Sequence, residues 1–275
     1  MGTTDRRTQI QVSLVLAALL ASCPPAYATR SAQRTMPDPI SEGQCSGLVA
    51  LSYGSYIYQW PSKLDQVFWP DTDPSFIWFC PSSGLTAFQP EIEQLSEGEK
   101  QRVKEFLATG YKAPSGPPSL RDKLVLLEGT YGLLDTSEEE RIWLLRVLAY
   151  LYEAEVGDQA TADRYRITAL RRIQAALATN LEPKKRLQYL FLAERYERLA
   201  GDRRAAKARM SEMRHLARNV TGEARDYGRY LTAIQEEQYG SSVSPYAAGL
   251  GLAGIALALL AMLRLRRSRA GAGRP

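Results

Sequence analysis

Leu148 to Asp158 reads LAYLYEAEVGD, and Leu192 to Asp202 reads LAERYERLAGD. Leu148, Ala149, Tyr152, Glu153, Gly157 and Asp158 recur 44 positions later as Leu192, Ala193, Tyr196, Glu197, Gly201 and Asp202. In each copy an apolar stripe at helical spacing stops at a glycine suited to a left-handed C-cap, and an aspartate suited to an N-cap follows at once. That is the junction of a helical hairpin. The second helices then carry Ile167, Leu170, Ile173 and Leu177 in one copy, and Ala206, Met210, Met213 and Ala217 in the other. A hairpin repeated at a fixed period predicts stacked helical pairs, each burying one face and presenting a concave one. The arrangement resembles tetratricopeptide repeats, with a period longer than theirs and without their full signature.

Outward from the repeat, Leu144, Leu145, Leu148, Leu151 and Tyr152 extend the stripe behind a capping box at Ser137 and Glu140. Leu120, Leu124, Leu127, Tyr131 and Leu134 keep helical spacing before it, so the helical repeat array is placed over residues 119–238. Ala113 to Pro118 (APSGPP) reads as a break. Before that break, Ser96 and Glu99 open a helix ended by Gly110. From Cys45 to Phe88, aromatics alternate with prolines at 61, 70, 74 and 81, which suits short strands and tight loops. Residues 29–44, small, polar and proline-containing, are read as a tether.

The stretch from Ile77 to Phe88 (IWFCPSSGLTAF), then Leu95 to Lys100 (LSEGEK) and paired helices, resembles a bacterial family of unknown function. Members are similar over roughly residues 45 to 238 and carry two CxxC knuckles of a zinc ribbon ahead of tetratricopeptide-like helices. The resemblance implies a scaffold, with residues 45–112 as a degenerate zinc-ribbon-like module plus helix. Leu48 and Ser83 stand where the second cysteines of the knuckles belong. Four thiolates close a structural zinc shell and two cysteines without histidine do not, so no metal or other cofactor is expected. Because the two knuckles of such a ribbon face each other, the resemblance also implies a disulfide between the surviving Cys45 and Cys80; two unrelated buried thiols are the alternative.

Both ends of the chain carry targeting signals. Ala247 to Leu263 is an uninterrupted apolar run between Tyr246 and four arginines at 264, 266, 267 and 269. At about 1.5 Å per residue, 246–265 is long enough to cross a bilayer, and the arginines of 266–275 mark a cytoplasmic tail, with 239–245 as a linker. At the other end, Arg6 and Arg7, an apolar Val12–Ala21 and the Ala26-Tyr27-Ala28 site read as a signal peptide over 1–28. Leu20-Ala21-Ser22-Cys23 is also compatible with a lipobox, in which Cys23 is acylated; a lipid anchor is redundant beside a spanning helix. The expected protein is single-pass, with its bulk extracytoplasmic (periplasmic) and its C-terminus inside.

The formal charge of +5 misleads, since the five tail arginines account for it. Residues 62–163 hold 9 Lys/Arg against 18 Asp/Glu, and residues 164–218 hold 15 against 5. The basic stretch nominates Arg164, Arg171, Arg172, Lys184, Lys185, Arg203, Arg204 and Lys207 as an interaction surface for an acidic protein or an envelope component. Nucleic acid is excluded as a partner, because the bulk of the chain faces away from it.

Catalytic constellations are sparse. His215, the single histidine, lies among Arg214 and Arg218, which gives no triad or dyad. Ser62-Lys63 is adjacent in sequence and badly placed for a Ser-Lys pair. Asn219-Val220-Thr221 is a sequon that the bacterial resemblance makes a chance match. Asp71 and Asp73, between Pro70 and Pro74, are either turn formers or paired carboxylates of an envelope-modifying hydrolase. The sequence thus predicts a mainly α chain that is not an enzyme: a membrane-anchored interaction scaffold. A hydrolase using Asp71/Asp73, or a structural subunit whose span packs through Gly249 and Ala253, is the alternative.

Overall fold

The computed structural model describes residues 30–52, 61–62, 64–111 and 117–240. The signal peptide, membrane span and cytoplasmic tail expected from the sequence lie outside these residues, as do Lys63 and most of the linker. Among the described residues, no helix is long and apolar enough to cross a membrane. The chain is mainly helical, with a small antiparallel sheet module at its N-terminal side. It divides into two compact units between Arg172 and Ile173.

In the first unit, β1 (Arg30–Pro37), β2 (Gln44–Ser52), β5 (Trp78–Phe79) and β6 (Thr86–Ala87) form an antiparallel sheet in the order β1-β2-β5-β6. β3 (Pro61–Ser62) and β4 (Val67–Phe68) make a separate two-stranded ladder. The expected tether is therefore a strand: β1 pairs with β2 from Arg30↔Ser52 to Pro37↔Gln44. Its side chains are mostly exposed, so no alternation of apolar and polar residues marks it; main-chain pairing holds it, helped by Ala32 and Met36 packing on the core. Trp78, 1% exposed, lies flat over Gly47, where an added Cβ would meet its ring at 2.3 Å, and donates Nε1–H to Leu48 O at 3.0 Å. That close approach is why a glycine stands in mid-strand.

Helices follow: α1 (Gln89–Gln94), α2 (Glu97–Gly110), α3 (Leu120–Tyr131), α4 (Glu138–Ala154) and α5 (Gln159–Leu177). The capping boxes at Ser96/Glu99 and Ser137/Glu140 form as expected, and Ser119/Asp122 makes a third that opens α3. The core of the first unit runs without interruption from Cys45 and Trp78 of the sheet through Leu107, Leu127 and Leu148 to Ala162. The aromatic module and the first helices thus share one core; most of the break expected at 113–118 lies outside the described residues. Amphipathic helices this short need a partner surface to hold, and the sheet supplies it.

The second unit starts inside α5 and contains α6 (Pro183–Leu199), α7 (Arg203–Asn219) and α8 (Gly222–Gly240). Helix α6 is its axis, buried without a break from Tyr189 to Glu197. α7 returns antiparallel along it, so that Arg209 reaches Glu197 and Arg186 reaches Glu212. α8 packs closely on α7 where Gly228 meets Ala217: a Cβ at Gly228 would lie 2.8 Å from that of Ala217.

The repeat junctions take the form the sequence predicts. Gly157 and Gly201 adopt φ +73° and +85°, and the amides of Asp158 and Asp202 turn back to Tyr152 O and Glu197 O. Asp158 and Asp202 then cap α5 and α7, accepting from Thr161 N and Ala205 N. Each copy also carries a polar clamp: Glu153 of α4 pairs with Arg166 of α5, and Glu197 of α6 with Arg209 of α7. One side-chain expectation fails. Ile167 is 41% exposed and Arg166, 2% exposed, takes the interior position beside it; a buried carboxylate, Asp65, is what draws the guanidinium inward.

Candidate interaction groove

A cleft of about 390 Å³ opens between α3, the end of α4 and the first half of α5, lined by Arg121, Val125, Glu128, Tyr152, Thr161, Arg164, Tyr165 and Thr168. Its floor is aromatic. Tyr152 and Tyr165 stack with centroids 5.5 Å apart and planes at 26°, and Tyr165 donates its hydroxyl to Glu128 Oε2 at 2.5 Å. Burial, and then the Glu128 carboxylate, raise both phenols above their ordinary range, so the pair stays neutral at any physiological pH.

Arginines stand on opposite walls. The Ser119 capping box fixes the first turn of α3, which aims Arg121 across the cleft to Asp158 Oδ2 at 2.7 Å, with its guanidinium 5.7 Å from the Tyr152 ring centre. Arg164, exposed on α5, donates to Thr161 Oγ1 at 2.8 Å, and Thr161 in turn donates to Asp158 Oδ2 at 3.0 Å. Asp158, held below the usual carboxylate range by the Thr161 amide and by Arg121, therefore joins the two walls through its own hydrogen bonds. Val125, 55% exposed, adds an apolar edge. Arg121 and Arg164 thus share one cleft with the stacked rings and an apolar rim, a combination of charge and aromatic surface that can take carboxylates.

Of the basic residues nominated from sequence, only Arg164 lines this cleft. Arg172 pairs with Glu138 at 2.8 Å, Lys184 reaches Glu223 at 3.3 Å, and Lys185 lies 5.7 Å over the Tyr189 ring. Arg171, Arg203, Arg204 and Lys207 are exposed. Within the second unit the nominated residues do not form one patch: Lys184 and Lys185 open α6 while Arg203, Arg204 and Lys207 open α7, at opposite ends of an antiparallel hairpin. A helix of this length spans about 25 Å. Arg121, Tyr152 and Tyr165 converge from three helices, and no spacing along the chain announces it.

Of the two readings of Asp71 and Asp73, turn formers or paired carboxylates, the contacts favour the first for Asp73. Asp73 caps the short 3-10 turn at Pro74–Phe76, accepting from Ser75 N at 2.9 Å. Asp71 turns the other way and accepts from Trp143 Nε1 of α4 at 3.0 Å. Burial pushes the Asp71 carboxyl up to about 6, against the opposing hydrogen bond of Trp143 and charge of Arg146. Its acidic neighbour is Glu91 on α1, itself raised by burial and by the charges of Asp71 and Glu140. Arg146 donates to the backbone carbonyls of Asp65 and Gln66.

Cys45 and Cys80 form a disulfide and are both fully buried. Asp38 sits beside them, its carboxylate accepting from Ile40 N, Ser41 Oγ and Ser82 Oγ. Burial would raise this carboxyl, and those hydrogen bonds, with one from Ser83, hold it below its ordinary value. Joined sulfurs leave Asp38 as the single free ligand of that trio, and no other three-ligand cluster occurs among the described residues. His215 is exposed on α7 with Asn219 against its ring. No family model, curated protein or solved structure matches this chain.

Proposed function

We propose that this protein is a membrane-anchored, extracytoplasmic interaction module whose helical pairs stack in the tetratricopeptide manner, and that its partner is an acidic peptide segment seated in the α3–α5 groove. The observation that carries the reading is the pair of arginines, Arg121 and Arg164, lining one cleft with the Tyr152–Tyr165 stack. The repeat of two helical hairpins supports a scaffold, and the apolar run at 246–265 with its arginine tail supports a single-pass anchor with the C-terminus inside. The aromatic module, with its likeness to a degenerate zinc ribbon, serves as the cap that completes the first core. Asp71 acts as a latch between the turn at 70–73 and Trp143, and this contact supports reading the protein as a binding module rather than a hydrolase.

The test is a pull-down from solubilised membranes with the full chain and with R121E/R164E. Retention of a specific protein by the parent chain and its loss from the double variant is the expected result. Equal retention by both places the partner elsewhere and overturns the assignment of the groove.

A further inference from the structure

A second cleft, of about 470 Å³, lies between α7 and α8 and is lined by Arg214, Ala217, Arg218, Arg229, Thr232, Ala233 and Glu236. Small residues make its bottom, because the helices approach closely at Gly228 and Ala217. Its walls carry three exposed arginines. Arg214 and Arg218 pair with no carboxylate among the described residues, and Arg229 has a loose, exposed contact to Asp226 at 3.7 Å. Helix α7 as a whole is basic, with Glu212 as its one acidic residue, and Glu212 is taken by Arg186 at 2.6 Å. Three guanidinium groups against one carboxylate, Glu236, leave an excess of positive charge around a shallow, partly apolar cleft, and guanidinium groups are suited to phosphate oxygens, which accept from a planar fork.

Position identifies the source of the phosphate. Helix α8 ends at Gly240, and in the sequence five residues separate it from the apolar run that opens at Tyr246. Fully extended, five residues reach at most about 17 Å, and Arg229 lies roughly 17 Å back along α8. The cleft is thus tethered within about 35 Å of the first spanning residue, and a soluble anion competes poorly with headgroups held at that range. We propose that the α7–α8 cleft binds the phosphate headgroups of anionic phospholipids and lays this unit against the bilayer that anchors the chain. The proposal rests on the reading of 246–265 as a membrane span.

The experiment uses the full chain with Cys23 replaced by serine, reconstituted in nanodiscs of phosphatidylcholine alone or with phosphatidylglycerol. A fluorophore is attached at S211C, one turn from Arg214, and trace lipid carrying a headgroup spin label serves as quencher. Phosphatidylglycerol is expected to favour the quenched state by about fivefold per engaged arginine. R214E/R218E/R229E abolishes that preference, R214K/R218K/R229K retains part of it, and millimolar glycerol phosphate leaves it intact. Circular dichroism melts of the variants confirm that α7 and α8 remain folded. Insertion with quenching that ignores lipid composition overturns the headgroup site and leaves the anchor standing. A chain that fails to enter nanodiscs overturns both, and displacement by glycerol phosphate shows a site for soluble phosphate esters and overturns the lipid assignment.

Discussion

Arg166 closes a two-pronged ion pair on Asp65, 101 residues earlier in the chain, through Nε at 3.0 Å and Nη2 at 2.8 Å, with the two side chains only 2% and 1% exposed. Glu153 and Asp163 add further carboxylates, and Arg146 holds the backbone carbonyls of Asp65 and Gln66 from α4. Burial alone would lower the affinity of this guanidinium for its proton; the carboxylates reverse that and keep it charged. The network fixes the loop before β4 to both helices of the first hairpin. Breaking it from one side leaves a charge stranded, so Arg166→Met or Asp65→Asn should cost on the order of 3–5 kcal/mol. Replacing both partners with apolar residues should cost clearly less than the sum of the single changes. Denaturant midpoints of the four proteins give the comparison, and additive losses would show the pair to be uncoupled.

The disulfide is the second determinant of the first unit. It closes a loop of 35 residues, which in the chain-entropy picture contributes roughly 3–4 kcal/mol by restricting the unfolded chain. Cys45→Ser/Cys80→Ser is expected to lower the unfolding free energy by about that amount. The parent protein, alkylated without reductant, should show no added mass at Cys45 or Cys80. Alkylation of both cysteines in the native protein would contradict the bond.

Asp71 predicts the sign of a pH dependence. Its carboxyl titrates near 6 in the folded protein against an ordinary 3.8, so the folded state holds the proton that the unfolded state has already released. The stabilisation is fully present below pH 3.8 and is lost as pH rises through 6. Glu91, also raised, adds in the same direction. At most, the Asp71 contribution is on the order of 3 kcal/mol. Asp71→Asn keeps an oxygen to accept from Trp143 and removes the titration. It should flatten the change in melting temperature between pH 4 and 6 and melt above the parent at pH 7; a parallel offset at all pH values would assign the pH dependence to other groups.

How far the sequence foretells this structure depends on the distance over which each signal acts. The hairpin junctions at Gly157-Asp158 and Gly201-Asp202 were legible because cap, turn and helix lie within a few residues of one another. So were the boxes at Ser96 and Ser137, and the family likeness foresaw the Cys45–Cys80 pairing. Strand β1 escaped because an edge strand held by its backbone needs no apolar alternation. The nearness of Asp71 to Glu91 was not legible, because Asp73 is its neighbour in sequence whereas Glu91 comes from α1. Arg121, Tyr152 and Tyr165 come from three helices, so their convergence follows from packing alone. The charge bias of 164–218 was real, yet it counted Arg166, Arg195 and Arg209, which the fold uses internally or in clamps.

The groove and the array make separable demands on the same tyrosine. Tyr152 is 3% exposed, packs in the core of the first unit and supplies half of the aromatic floor. Its loss should be a folding defect: Tyr152→Ala, like Tyr196→Ala in the second unit, is expected to cost about 3 kcal/mol or more. Arg121 and Arg164 lie on the rim, and exposed charges contribute little to folding. R121E/R164E should therefore melt within about 2 °C of the parent, since a cost well under 1 kcal/mol moves a domain of this size by only a few degrees. Affinity for an acidic peptide should fall steeply, and the salt dependence of binding should fall with it. R203E/R204E/K207E, at the start of α7, serves as the control: it reverses more charge outside the groove and should leave binding by the groove unchanged. If this triple reversal abolishes association as fully as R121E/R164E, the interaction reads net charge and the stacked tyrosines are a structural contact.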